Sequence, residues 1–263
     1  MKPVTVGSFL LAEPLASGGM GSVWRAVHRS GVAAAVKIIP AETEDGKRVV
    51  PILDPAASLQ AEIRSVGALD HPNIIRVFDA GTLELEHERA SGGQLRAGSP
   101  WLAMELCDGS VYDLHRDFDW SQLCALLLQV LDALAHAHAR GVVHRDLKPA
   151  NLLYVRSPST RILLADFGLA WRRGGDLVHG GSLPYAAPEQ ILGVRTEQGP
   201  WTDLYGLGCC AYRLATGQRP YRGSDPDAIK RGHLFGAIPK PQPRFPVPAG
   251  FAAWLAGLMA KDP

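Results

Sequence analysis

The 263-residue chain balances 27 Lys and Arg against 26 Asp and Glu, and 46% of it is hydrophobic. That length and apolar content suffice for one large domain or two modest lobes around a buried core, while a formal charge of +1 favours neither nucleic acid nor an anionic membrane as partner. No apolar run approaches the roughly 18 residues of a membrane span, and no small-residue cleavage pattern follows Met1–Leu11, so the cytoplasm is the expected compartment.

Met1–Leu11 reads as the first strand. Gly7 to Val27 then alternates apolar and polar residues around Leu15-Ala16-Ser17-Gly18-Gly19-Met20-Gly21-Ser22-Val23, the pattern of two strands joined by a turn. Glycines have no Cβ, so backbone N–H groups there can approach phosphate oxygens; taken alone, a glycine-rich hairpin is more often merely a hairpin. Ala33-Ala34-Ala35-Val36-Lys37-Ile38-Ile39 is an apolar strand with one lysine, which in isolation would be a solvated edge residue. Leu59 to Val66 reads as a helix carrying Glu62, and Ile74 to Phe78 as a strand. Residues 84–100 are polar, with Ser91-Gly92-Gly93 and Gly98-Ser99-Pro100, and are expected to form a mobile insertion before the strand Trp101–Leu106.

A long helix opens at Asp119-Trp120 and stops near Arg140-Gly141. His136 and His138, two residues apart, would point in different directions on it, which argues against shared metal ligation. Cys107, Cys124, Cys209 and Cys210 have neither metal-ligand spacing nor the density of a disulfide scaffold, and Cys209-Cys210 reads as helix packing.

The densest polar stretch follows: His144-Arg145-Asp146-Leu147-Lys148-Pro149-Ala150-Asn151, with a short strand, Leu152–Val155, after it. A carboxylate five residues before an amide on a tight loop can put Asp146 against a substrate hydroxyl while Asn151 faces a metal ion. Another strand, Arg161–Ala165, leads into Asp166-Phe167-Gly168, where a carboxylate at a strand end is placed to chelate Mg2+.

In this order and at these spacings the segments resemble the eukaryotic-type protein kinase family, in its bacterial serine/threonine branch: H-R-D-x-x-x-x-N at His144–Asn151 with Lys-Pro inside it, and D-F-G twenty residues after Asp146. The resemblance implies an α+β, bilobal fold with a small β-rich N-lobe over about residues 1–104, a hinge at 105–109 and a larger helical C-lobe over 110–263. It implies ATP and Mg2+, with Mn2+ as a substitute, and protein substrates. Asp146 would be the base, Lys148 and Lys37 would meet phosphate charge, and Glu62, nine residues before His71-Pro72-Asn73, would pair with Lys37. Nucleotide contacts fall on Ala16, Gly18, Gly21, Val23, Ala35, Lys37, Met104, Glu105, Cys107 and Leu153, with Ala16 standing where the family has its first glycine. Asn151 and Asp166 would hold the metal. His144, Phe167, Val66 and Val77 would form an apolar column, and Asp203, in a variant of D-x-W-x-x-G with Tyr205 for Trp, would anchor the catalytic loop.

The activation segment departs from the family. Leu169 to Gly181 contains no Ser, Thr or Tyr, although Arg145 is the residue that an added phosphate usually neutralises. Asp176 or a bound anion is the expected partner of Arg145, and Ser182 stands where the family has a threonine. Ala187-Pro188-Glu189 closes the segment; the resemblance implies that the chain stops before the helix bearing the usual arginine partner of Glu189, a loss of about 3–5 kcal/mol if that carboxylate is buried alone. Pro239 to Pro248 reads as a loop between two C-lobe helices. Two readings compete: an active serine/threonine kinase working without activation-loop phosphorylation, and a nucleotide-binding pseudokinase acting as a signalling scaffold, for which Ala16, the segment lacking hydroxyls and the missing arginine speak; Ala187-Pro188-Glu189 and the Lys-Pro disfavour a third, a small-molecule kinase sharing the lobes.

Overall fold

The computed structural model describes residues 4–18, 21–40, 69–114, 118–156, 159–167 and 182–262. They fall into two compact units: one runs to Asp70 and includes Ile75–Cys107, and the other joins His71–Ile74 to the chain from Asp108 onward.

In the first unit, β1 (Thr5–Val6), β2 (Phe9–Gly18), β3 (Gly21–His28), β4 (Ala33–Ile38), β5 (Val77–Thr82), helix α1 (Leu85–Ala90) and β6 (Pro100–Glu105) follow in sequence. The strands form one antiparallel sheet in the order β1-β2-β3-β4-β6-β5. Side chains alternate between faces along a strand. Accordingly Ala34, Val36 and Ile38 join Val6, Trp24 and Ala103 in a buried core, and Ala35 and Lys37 fall on the opposite face.

Two expectations are corrected here. The strand expected at Ile74–Phe78 begins at Val77 and runs to Thr82; Ile74 instead makes an isolated bridge to Leu164 in the second unit's own fold. Residues 84–100 are an ordered connection. Leu83 and Leu95 are buried in the sheet's core, Leu83 and Ser99 are bonded through their backbones, and the Glu88 carboxylate accepts from the Ala97 N–H at 2.9 Å. A few anchoring contacts outweigh the polar, glycine-rich composition.

The second unit contains β7 (Gly109–Ser110), α2 (Val111–Leu114), α3 (Trp120–His138), β8 (Leu152–Val155), β9 (Arg161–Leu164), α4 (Pro188–Ile191), α5 (Pro200–Thr216), α6 (Pro226–Phe235) and α7 (Phe251–Leu258). Helix α3 starts with a reciprocal cap: Gln122 N–H donates to the Asp119 carboxylate, and Asp119 N–H donates to the Gln122 carbonyl oxygen. Its buried residues Leu123, Leu126, Leu127, Val130, Ala133, Leu134 and Ala137 recur every three or four positions, the stripe of an amphipathic helix. Helix α5 is buried nearly all round, Cys209 and Cys210 completely. Gly206 lets the loop at 144–151 close on it, since a Cβ there would lie 3.0 Å from Leu147 Cβ. No helix among the described residues is long and apolar enough to cross a membrane. The proline-rich stretch 239–248 is irregular chain between α6 and α7.

Candidate active site

Strand pairing assembles the first part of the site. Val23 pairs with Lys37 and with Ala16, Lys37 with Leu102, and Ala35 with Met104. Directly paired residues share a face. Ala16, Val23, Ala35, Lys37 and Met104, expected to contact nucleotide, therefore lie together on the face away from the hydrophobic core. Leu102 belongs to the same surface and was not foreseen; its position two residues before Met104 on a strand is the signal that would have found it. Gly18 pairs with Gly21 at the hairpin's tip, and the two glycines serve different needs. A Cβ on Gly18 would meet only open space, whereas one on Gly21, at φ +107°, would lie 2.0 Å from the Ile38 carbonyl oxygen. Gly21 is thus required for the close approach of β3 to β4. Glu105 is half-buried, and the Cys107 thiol lies 3.7 Å from its carbonyl oxygen. Val77 opens β5. Glu62 and Val66 lie outside the described residues.

The second unit holds the other part. Asp146, Lys148 and Asn151 are all buried. Lys148 Nζ donates to Asp146 Oδ2 at 2.7 Å and to Ser182 Oγ at 2.9 Å. Asn151 Nδ2 donates to the Asp146 carbonyl at 2.8 Å and to Asp146 Oδ2 at 3.0 Å. Both neighbours thus use one carboxylate oxygen. Oδ1 of Asp146 has no bond within the described residues, so it is the oxygen left to accept a proton. With its amide nitrogen engaged, Asn151 keeps Oδ1 as an oxygen ligand. The Asn151 carbonyl accepts from Ala165 N–H at 2.9 Å, and Leu152 pairs with Leu164, so the hairpin of β8 and β9 brings Asn151 alongside the segment entering Asp166. An amide and a carboxylate oxygen are hard donors, the set that suits Mg2+. Leu153, the remaining nucleotide contact expected, is half-buried on β8.

Arg145 and Asp166 both adopt φ +65°, the left-handed region that residues other than glycine enter at a cost. At Arg145 the restraint is visible. Asp203 on α5, 1% exposed, accepts from Arg145 N–H at 2.7 Å and from His144 N–H at 2.8 Å, while its Oδ2 also meets His138 Nε2 at 2.7 Å. Gln190 Nε2 donates to the Arg145 carbonyl at 2.7 Å. His138 and Gln190 are supports that sequence reasoning missed, although Gln190 directly follows Ala187-Pro188-Glu189. His144 Nδ1 accepts from Asp146 N–H and Nε2 donates to the Ala165 carbonyl, fixing its tautomer, and its ring packs on Phe167 at 4.7 Å. His136 turns elsewhere, against the ring of His71.

Asp176 lies outside the described residues. Among the described residues the buried Nε of Arg145 has no hydrogen-bond partner. Glu189, 7% exposed, accepts from Thr202 Oγ1 at 2.6 Å and borders a cavity of about 160 Å3 lined by Trp201, Leu204, Tyr205, Leu258 and Asp262. The carboxylate expected to stand alone therefore has a hydroxyl donor.

Comparison with known proteins places this geometry. The family described as "Protein kinase domain" matches residues 9–259. The chain is 36% identical to the serine/threonine-protein kinase PknJ of Mycobacterium tuberculosis, over 97% of this chain and 42% of that protein. It is 32% identical to PknF of the same organism, over 98% and 53%, and 35% identical to Pkn1 of Myxococcus xanthus, over 99% and 36%. It thus spans about half, or less, of the length of these relatives. The chain belongs to the protein kinase family, with the α+β, bilobal kinase fold and with bacterial serine/threonine kinases as its relatives.

Proposed function

We propose that the chain transfers the γ-phosphate of Mg·ATP to Ser and Thr hydroxyls of protein substrates. The observation that carries this reading is the buried group Asp146, Lys148 and Asn151, with half-buried Ser182 bonded to Lys148. A carboxylate with a free Oδ1 can accept the proton of an incoming hydroxyl as its oxygen attacks phosphorus. Lys148, 2.7 Å from the other oxygen, offers positive charge beside it. Phosphoryl transfer depends chiefly on positioning and charge stabilisation, so the fixed frame from Asp203 is as important as the base. Asn151 and Asp166 would hold Mg2+, which when bound neutralises charge on the phosphates. Lys37 would contact the α- and β-phosphates, held in place by Glu62, while Ala16, Gly18, Val23, Ala35, Met104 and the Glu105 and Cys107 backbones would frame the nucleotide.

Activity without phosphorylation of the activation segment is part of the proposal. Leu169 to Gly181 offers no hydroxyl, and Ser182 is already engaged by Lys148. Asp176 or a small anion would neutralise Arg145. Phosphopeptide mapping after incubation with ATP should find activity unlinked to a mark on Ser182; activity rising with such a mark would count against it.

Transfer of labelled γ-phosphate to a generic protein substrate tests the central claim. Asp146→Asn should reduce the rate by about 10²–10⁴-fold, the usual worth of a general base, with ATP binding retained. ATP binding by the parent without any transfer would put the scaffold reading first.

A further inference from the structure

Beyond Ser182 the chain continues into Leu183-Pro184-Tyr185, and there it meets positive charge that the phosphotransfer scheme does not use. Tyr185 is 6% exposed; burial pushes its phenol up to about 12, while the Arg219 guanidinium at its hydroxyl and the nearby Arg213 oppose that rise. Arg222 acts in the same way on Tyr212, whose phenol burial raises. Arg213 sits in the last turn of α5, and Arg219 and Arg222 follow the Gly217 cap. Arg219 and Arg222 are exposed and Arg213 is half-buried.

Among the described residues these charges lack an ion-pair partner: no carboxylate pairs with Arg213, Arg219 or Arg222. Asp225 and Asp227, next along the chain, pair with Arg231 and Lys230 instead. A cation in the last turn of a helix complements the helix dipole, which accounts for Arg213 but not for the two arginines beyond the cap. Tyr185, which Arg219 and Arg213 meet, is in turn tied to the chemistry. Gly206 of α5 is packed against both Leu147 of the catalytic loop and the Tyr185 backbone, and Ser182, three residues before Tyr185, bonds Lys148 beside Asp146.

We propose that Arg213, Arg219 and Arg222 form an acceptor-side subsite that selects polypeptides carrying aspartate or glutamate near the phosphorylated hydroxyl. The proposal rests on the kinase reading above and specifies its substrate class. Guanidinium groups match carboxylates with paired N–H donors, and arginines without an ion-pair partner among the described residues can make such contacts without first breaking a salt bridge.

The test uses peptides with one serine flanked on both sides by Glu, Gln or Lys. For the parent, kcat/KM should be about tenfold higher for the Glu than for the Gln peptide at low salt, from two or three exposed charge pairs, and lowest for Lys. Raising the salt should narrow the difference. Arg219→Glu combined with Arg222→Glu, both at exposed positions, should invert the order while ATP affinity stays unchanged. Equal rates on the Glu and Gln peptides, or a preference untouched by the double reversal, would overturn the subsite and leave the kinase reading standing. Should the parent phosphorylate no peptide, the kinase reading fails, and fluorescence anisotropy with the labelled Glu peptide decides the subsite separately. Binding that the double reversal weakens about tenfold or more would keep it as a polypeptide-binding surface; absence of such binding would remove it.

Discussion

Two buried polar networks hang from helix α5, two residues apart, and they manage charge in opposite ways. At Asp203 an anion is satisfied by donors: the N–H groups of His144 and Arg145 and the ring of His138, all within 2.8 Å. At Tyr205 a cation is surrounded by acceptors and aromatic faces: Lys261 Nζ donates to Tyr221 Oη at 2.8 Å, Tyr205 Oη at 3.2 Å and the Gly232 carbonyl at 3.3 Å, and lies over both rings. His233, fully buried, bonds Tyr205 Oη at 2.9 Å. The first network fixes backbone in a conformation that costs energy; the second ties α5, α6 and the end of the chain together. Ionised hydrogen bonds to backbone act where geometry must be exact to the ångström, and phenols with a half-exposed ammonium suffice where packing alone is at stake.

The largest effect should follow from breaking the Asp203 network. Asp203→Ala would leave two buried N–H groups and His138 without their acceptor, so chemical denaturation should show a loss of about 3–5 kcal/mol. Phosphotransfer should fall even at temperatures where the variant stays folded, because Arg145 would no longer be held at φ +65°. A folded Asp203→Ala variant with parental activity would show that the loop holds its shape without this carboxylate.

The contrast also explains what the linear sequence discloses. The amphipathic stripe of α3 and the alternation of β4 are local periodicities, so the helix and the Lys37 face were legible from residue types. The residues proposed for phosphotransfer occupy fixed short spacings between 144 and 166, so it is the resemblance that picks them out. Residues 84–100 were misjudged because order there comes from Leu83, Leu95 and the Glu88 carboxylate, too few contacts to impose a period. The Lys261 network joins residues 56 and 40 positions apart, and the arginines around Tyr185 meet it only through the fold. Neither leaves a local trace.

A smaller effect concerns acidity. Burial, then the positive charge of Lys261, lowers the His233 pKa from 6.5 to about 4; the Pro184 carbonyl opposes this, near enough to favour a protonated ring yet outside the geometry of a full hydrogen bond. The unfolded chain takes up the proton near pH 6.5 and the folded one only near 4, so the neutral ring's contribution is complete above 6.5 and is lost as pH falls through that window. Between pH 7 and 5 the loss from this group should be about 2 kcal/mol. Urea midpoints measured across that range should drop for the parent, and His233→Gln should flatten this part of the profile. Unchanged slopes in the variant would assign the acid sensitivity to other groups.

The smallest shift, and the sharpest test of the comparison, is Lys261→Met. The ammonium is half-exposed and faces no carboxylate partner within the described residues, while Tyr221 Oη keeps its bond to the Gly236 carbonyl at 3.1 Å and Tyr205 keeps His233. Exchanging such a cation for an apolar side chain of similar length should change stability at pH 7 by no more than about 1 kcal/mol, well below the Asp203 effect. It should also alter the acid profile in a defined direction. Without the neighbouring positive charge the His233 pKa moves back towards its ordinary value, the window between folded and unfolded pKa narrows, and the variant should lose less stability than the parent between pH 7 and 5. A loss of 3 kcal/mol or more at pH 7, on the order of a broken buried ion pair, would mean that the cation is as deeply built into the fold as the anion at Asp203, and that the two networks differ in sign alone.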